Sequence, residues 1–171
     1  GSHSVVICHS CYNIFHMNHE PIDYLCPFCD WLGGNETEHK RNDDIVLQDE
    51  HITAFISPKW WVNNPGHVII IPNRHVENIY DIDDALLKHV AVTTKRIAIA
   101  IRSTYDCTGT STRQHNEPDG NQDVWHLHTH VFPRHPGDML YQNHDNKAFV
   151  PPADRRLYAA RLRRYFADHN V

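Results

Sequence analysis

Three histidines alternate with other residues in Trp125-His126-Leu127-His128-Thr129-His130-Val131-Phe132. In an extended strand, residues two apart share a face and lie roughly 6.5–7 Å from each other. Read as a strand from Val124 to Phe132, the segment sends His126, His128 and His130 to one face and Trp125, Leu127, Thr129 and Val131 to the other. The first set can line a cleft while the second packs on a helix. Each imidazole offers a donor, an acceptor or a nucleophilic nitrogen near neutral pH. A purely structural row would need a partner for every buried ring nitrogen, at about 1–3 kcal/mol for each one left unsatisfied. Two chemistries suit the row. One is metal ligation by at least two imidazoles, as in zinc sites built on His-x-His. The other is covalent catalysis, with one imidazole attacking phosphorus and another assisting.

Four of the five cysteines form two identical pairs, Cys8-x-x-Cys11 and Cys26-x-x-Cys29. An odd count reads poorly as a disulfide framework and better as metal ligation in a reducing compartment, so a cytoplasmic location is expected. Fourteen residues separate the pairs, slightly tight for a zinc ribbon using both on one ion. Cys107 is expected as a plain buried thiol.

Strands must carry these groups. Ile45-Val46-Leu47 and Ile52 to Ile56 read as strands around a turn at Asp49-Glu50, with Pro58 ending the second. Lys59 to Gly66 reads as a loop of unusual aromatic content, and His67 to Ile71 as an apolar strand stopped by Pro72. Asp81 to Asp84 supplies helix-start acids. Leu86, Val90, Thr93, Ile97 and Ile101 then recur at helical spacing, predicting a helix to about Thr104. A strand over Cys107–Gln114 and a polar loop over His115–Asp123 precede the histidine strand, which Pro133 is expected to stop. Asp154 to Asp168 closes the chain as a helix with Leu157, Tyr158, Leu162, Tyr165 and Phe166 inward. Its cluster Arg155, Arg156, Arg161, Arg163 and Arg164 reads as a solvated face. Strands with an inserted helix and no β-α alternation predict an α+β fold on a largely antiparallel sheet.

The 171 residues suit one domain, and 40% hydrophobic content can build a core. A net charge of −5 argues against a nucleic-acid polymer as partner, which calls for a basic stripe. No apolar run approaches a membrane span. Gly1-Ser2-His3 reads as a tag remnant, and no secretory signal is read.

His-Leu-His-Thr-His-Val-Phe followed by Pro133-Arg134 resembles the signature of the histidine triad family. Cys26-Pro-Phe-Cys29, the segment Pro65-Gly66-His67 through Pro72 to His75, and Asn116-Glu117-Pro118 with Gln122 before the triad are similar to the family's small nucleotide hydrolases. The resemblance covers about residues 22–138, leaving 1–21 as tag remnant and N-terminal extension and 139–171 as a C-terminal segment and helix packed on the domain. It implies a five-stranded sheet with a long central helix and a C-terminal helix.

It also implies hydrolysis at the α-phosphate of a nucleoside phosphoramidate or dinucleoside polyphosphate. His128 would be the nucleophile, forming a nucleotidyl-histidine, and His130 would support it. Cys26, Cys29, His75 and His126 would hold one structural zinc per chain, leaving Cys8 and Cys11 to a second ion with His16 or His19, or idle. The homodimer usual in the family would pair through the long helix and neighbouring strands. Substrate contacts would fall to Ser57, His115, Asn116, Gln122 and Asp123. Two of these depart from the family pattern: Ser57 stands where an acid or amide usually holds the ribose, and Asp123 where a small hydroxyl residue contacts phosphate. Asn63, Asn64, Trp60 or Trp61 could then supply ribose or base contacts. A nucleotide-binding sensor or adaptor with little catalysis, a nucleotidyl transferase, and a zinc enzyme using the triad as open-site ligands are the other readings.

Overall fold

The computed structural model describes residues 18–143 and 145–169, so the Cys8–Cys11 pair and His16 lie outside the described residues. In chain order the elements are α1 (Pro27–Leu32), β1 (Ile45–Gln48), β2 (Ile52–Ile56), β3 (Lys59–Trp61), β4 (Val68–Pro72), α2 (Asp84–Thr104), β5 (Gly109–Gln114), β6 (Thr129–Arg134), β7 (Lys147–Phe149) and α3 (Pro152–His169). The class is α+β, as the strand and helix pattern predicts. A five-stranded sheet runs in the order β1-β2-β4-β6-β5, and every neighbouring pair is antiparallel.

β2 and β4 sit centrally and bury all their residues, which is why they read as continuous apolar runs. Alternation sorts their side chains between two layers. Ile52, Ala54, Ile56, Val68 and Ile70, with Leu127 and Val131, pack among Val90, Ile97, Ile101 and Leu162 of the two long helices. Phe55, Ile69 and Ile71 face the other way, against Cys26, Phe28 and Trp31 around α1. Helices roof one sheet face; a short helix and loops cover the other, where a site can form. α2 starts at Asp83, whose carboxylate accepts from the Leu86 N–H at 2.9 Å.

Several expectations need correction. The histidine strand begins only at Thr129, so His126 and His128 sit in the irregular segment entering β6. Pro133 does not stop β6 but lies within it, opposite Thr110. β6 runs past the start of β4, the last pair between them being Val68–Val131, and the Pro133 carbonyl on that side is taken by the Asn64 side chain at 2.8 Å. The missing N–H therefore costs no ladder bond. Lys59–Trp61 is not loop but β3, paired with β7 in a two-stranded ribbon. Finally, Leu157 is 62% exposed, while the buried stripe of α3 is Arg155, Ala159 and Leu162.

Arg155 thus leaves the solvated arginine face assigned to it. It is fully buried and pairs with the buried Asp44, Nε lying 3.0 and 3.1 Å from the two carboxylate oxygens. Its remaining donors reach the carbonyls of Val150 (2.6 Å) and Glu38 (2.7 Å). One guanidinium therefore joins α3, the start of β1 and the Glu38 loop.

A second buried carboxylate fixes the turn after β6. Asp138 accepts from Arg134 Nε at 2.7 Å and Nη2 at 2.8 Å, from Asn64 Nδ2 at 2.8 Å, and from the N–H groups of His135 and Leu140. Asn63 Nδ2 donates to its carbonyl at 3.1 Å. Asn63 and Asn64 are therefore tied to this turn. The Arg134 guanidinium holds the Asp138 carboxyl well below the usual carboxylate range.

Arg155→Ala is expected to destabilise the fold by roughly 3–5 kcal/mol, because it strands a buried charge. Exposed Arg156→Ala should stay within about 0.5 kcal/mol, and urea unfolding of both variants compares them. Asp138, with its folded-state affinity for protons depressed, contributes stability that is fully present above the unfolded carboxyl value of about 3.9. That stability is lost as pH falls through the lower folded value. Asp138→Asn should therefore cost about 2 kcal/mol at pH 7 and unfold with a shallower dependence on acidification, read from urea midpoints at pH 7 and pH 3.

Candidate active site

Register brings the histidines together. Ile69 pairs with His130 and Val68 with Val131, so His67, one residue before β4, falls beside Phe132. Their rings stack at 4.6 Å. Gly66 makes this possible. It sits at φ +76°, and a Cβ there would lie 2.2 Å from the Tyr158 ring of α3. Only glycine lets the helix close on the backbone that carries His67.

His128 is almost wholly buried. Its Nδ1–H donates to the His126 carbonyl at 2.8 Å. That bond fixes the tautomer and leaves the lone pair on Nε2, which lies 3.7 Å from Asp123 Oδ1. Burial lowers the proton affinity of His128, so the ring is held neutral. His130 Nδ1 and His67 Nε2 are 3.4 Å apart. Both rings lose proton affinity to burial, His67 down to about 3. A neutral pair can share one N–H between them. His67 Nδ1 is buried and, among the described residues, has no hydrogen-bond partner.

These rings floor a cavity of about 220 Å³. Phe28, Phe55 and Ile69 give it an apolar side, and Trp61 with Lys147 and Phe149 of the β3–β7 ribbon forms another wall. His39 stacks on Phe149 at 3.8 Å, and the Lys59 ammonium lies 4.6 Å from the same ring.

The sequence-predicted contacts divide. Ser57 and Asp123 line the cavity. The Ser57 hydroxyl, however, donates to the Lys59 carbonyl at 3.0 Å, in a local turn. Trp60 turns away, its indole N–H on the Ser57 carbonyl at 2.7 Å and its ring against Tyr158. His115 borders a smaller hollow beside His130, with Nδ1–H on the Gly120 carbonyl at 2.6 Å. Asn116 and Gln122 line neither space. Asn116 Oδ1 accepts from the Ile79 N–H, and Gln122 Nε2 donates to the Glu77 carbonyl at 2.6 Å while its oxygen accepts from the Glu117 N–H. They position the loop. Trp61, one of the tryptophans offered for a base contact, lines both spaces, and residue patterns give no role to His67, Arg113 or Lys147, which also border them. For His67 the available signal was its place between Gly66 and an apolar strand.

Behind the row, Cys26, Cys29, His75 and His126 bring one ligand atom each within 4.8 Å of one another. Cys26 Sγ to His126 Nδ1 and Cys29 Sγ to His75 Nδ1 are both 3.3 Å, and Cys29 Sγ to His126 Nδ1 is 3.6 Å. The ligand edges of a tetrahedral zinc with Zn–S of about 2.3 Å and Zn–N of about 2.0–2.1 Å would be about 3.5 Å. The outer ring nitrogens are already held, His126 Nε2 by the Pro72 carbonyl at 2.9 Å and His75 Nε2 by Glu20 at 3.0 Å. Such outer contacts turn the Nδ1 lone pairs inward. Burial pushes the Cys29 thiol up to about 12; a dication among the four groups would reverse that. The residues fit the group.

Fold and site thus define an antiparallel-sheet protein with a buried, neutral histidine cluster beside a four-ligand Cys/His cradle. The HIT domain model matches residues 38–137. Protein hit of Bacillus subtilis (strain 168) is 34% identical over 110 residues, which is 64% of this chain and 71% of that protein. A zinc-bound histidine triad family protein from Mycobacterium smegmatis is similar in structure, with TM-score 0.69 and 25% identity over 85% of this chain and 95% of that one. The Plasmodium falciparum diadenosine triphosphate hydrolase, solved with cyclomarin A, shares the fold at TM-score 0.66 and 13% identity, over 84% of this chain and 95% of that one. The chain belongs to the histidine triad (HIT) family.

Proposed function

We propose that this protein is a nucleotide phosphohydrolase that works at the α-phosphorus through a nucleotidyl-histidine on His128. The observation that carries this is the Nδ1–H of His128 on the His126 carbonyl at 2.8 Å. It leaves a neutral Nε2 lone pair in a ring that borders the cavity. In the first step the Nε2–phosphorus bond forms and the bond to the leaving group breaks, the electron pair departing with that group. In the second, water attacks phosphorus and the Nε2–phosphorus bond breaks, returning the neutral ring. Two easier displacements replace one hard one. His130, sharing an N–H with His67, donates to a phosphate oxygen as charge builds there. The apolar side at Phe28, Phe55 and Ile69 suits a base. At about 220 Å³ the cavity takes one nucleoside arm rather than two.

Zinc at Cys26, Cys29, His75 and His126 belongs to the same proposal. Four protein ligands close the coordination sphere, so its part is structural: it would tie α1 to the segment that carries His128. The free Cys26, Cys29 and Cys107 thiols agree with a reducing, cytoplasmic setting. Among the described residues no helix is long and apolar enough to cross a membrane. The sensor reading retains one motive, the Ser57 hydroxyl committed to its own turn, which leaves the ribose without the usual acid.

His128→Ala should lower hydrolysis of an adenosine phosphoramidate or a dinucleoside polyphosphate by more than about 10³-fold while the circular dichroism spectrum is unchanged. Undiminished turnover would falsify the covalent route, and tight nucleotide binding with no turnover by the unaltered protein would favour the sensor. Metal analysis should give one zinc per chain in the unaltered protein and in Cys8→Ser/Cys11→Ser, and none in Cys29→Ser. Loss of the ion from the Cys8/Cys11 variant would assign it to a ribbon instead.

A further inference from the structure

Beside the main cavity lies a second, smaller hollow of about 50 Å³. The two share Trp61, Asp123, His130 and Lys147. Beyond these the larger space has an apolar side at Phe28, Phe55 and Ile69 and carries Lys40 and Lys59 elsewhere on its wall, whereas the smaller adds Arg113, His115, Asn121 and Phe132. A base belongs on the apolar side, and a phosphate between His128 and His130 has this second hollow as its polar neighbour.

We propose that Arg113 and Lys147 make this hollow a leaving-group subsite that selects an anionic, phosphate-type leaving group over an amine. The inference rests on the hydrolase reading above and assigns the substrate class within it. Arg113 stands on β5, its guanidinium 5.2 Å from the Phe132 ring and 4.6 Å from that of Tyr141. Lys147 stands on β7 with its ammonium 5.3 Å from the Trp61 ring. Among the described residues neither cation has a carboxylate within 4 Å. Arg134, by contrast, is neutralised by Asp138. The aromatic faces hold both cations in place, and a charge flanked by rings acts through less water than one on an open surface. The same two charges reach the histidines, since both lower the proton affinity of His67 after burial has done so.

The one opposing group is Asp123, whose side chain is 69% exposed and so is screened by water. Two cations against one solvated acid leave the hollow electropositive. An oxygen leaving phosphorus carries off the bonding electron pair as an anion, and needs no proton if a cation receives it. An amine nitrogen must gain a proton to depart, and fixed positive charge opposes that protonation. Size agrees with this choice. A water needs about 10–15 Å³ of such space, so the hollow accepts a phosphoryl-sized group and leaves any second nucleoside outside. Lys147 also lies beyond residues 38–137, the segment that matches the family, so half of the cation pair comes from the chain's own C-terminal ribbon.

The test compares kcat/KM for a dinucleoside triphosphate and a nucleoside phosphoramidate of the same base. The unaltered protein should favour the polyphosphate. Arg113→Gln and Lys147→Gln should each reduce the polyphosphate-to-phosphoramidate ratio by about tenfold or more, with Arg113→Lys keeping most of it and thermal melting verifying that each variant is folded. An unchanged ratio, or a preference of the unaltered protein for the phosphoramidate, overturns the proposal. If the unaltered protein turns over neither compound, the hydrolase reading fails, and pyrophosphate binding by calorimetry decides the subsite. Binding that is lost in Arg113→Gln/Lys147→Gln supports it; no binding by the unaltered protein overturns it.

Discussion

The hydrogen bond from His128 Nδ1 to the His126 carbonyl is the constraint on which the site depends. It selects one tautomer of a buried ring, and it requires the main chain at His126 to point a carbonyl at a side chain instead of a neighbouring strand. A regular strand could not spare that carbonyl, which explains why β6 starts only at Thr129. The irregular segment must then be held by other means. His126 Nε2 donates to the Pro72 carbonyl, the Leu127 N–H donates to the Val76 carbonyl at 2.7 Å, and the Leu127 side chain is buried under the helices. Pro72 and Val76 flank the turn that presents His75. Nucleophile and metal cradle are thus two outputs of one laced pair of segments.

Electrostatics divides the site into two regions. The histidine cluster is neutral because burial, before any charge, lowers the proton affinity of His67, His128 and His130. Its rings act through lone pairs and N–H groups. Fixed charge is kept to the rim, with Arg113 and Lys147 on aromatic faces and Asp123 in solvent. A neutral interior keeps a nucleophilic nitrogen unprotonated, and a charged rim can still attract an anion.

The sheet, the central helix and the helix-facing set Leu127 and Val131 were legible because burial imposes periods of two and 3.6 on apolar residues. The four-residue Cys/His cradle was legible through family resemblance, and the coordinates bring its members together. What escaped was set by distance in sequence. The strands of the β3–β7 ribbon have only three residues each, too few for a period, and their pairing spans the chain from Lys59 to Phe149. Arg155 looked like its exposed neighbours because only the tertiary fold brings Asp44 to it. Asn116 and Gln122 stand beside the histidines in sequence, yet their amides turn to the Ile79 and Glu77 backbone. Pro133 reads as a stop because a sequence does not show where a neighbouring strand ends; β6 runs on through it beside β5 after its pairing with β4 has ended at Val131.

The contact between Gly66 and Tyr158 has a bearing on how the protein is made. Tyr158 belongs to α3, the last of the described elements, and its ring rests on the glycine that precedes His67. Arg155, one turn earlier, ties the same helix to β1. On a ribosome the strands and the histidine row emerge first, while the helix that shapes the His67 backbone is still inside the exit tunnel. The site is therefore finished by a segment made after its histidines: the emerging chain carries every histidine of the site before it carries the helix that completes the His67 backbone.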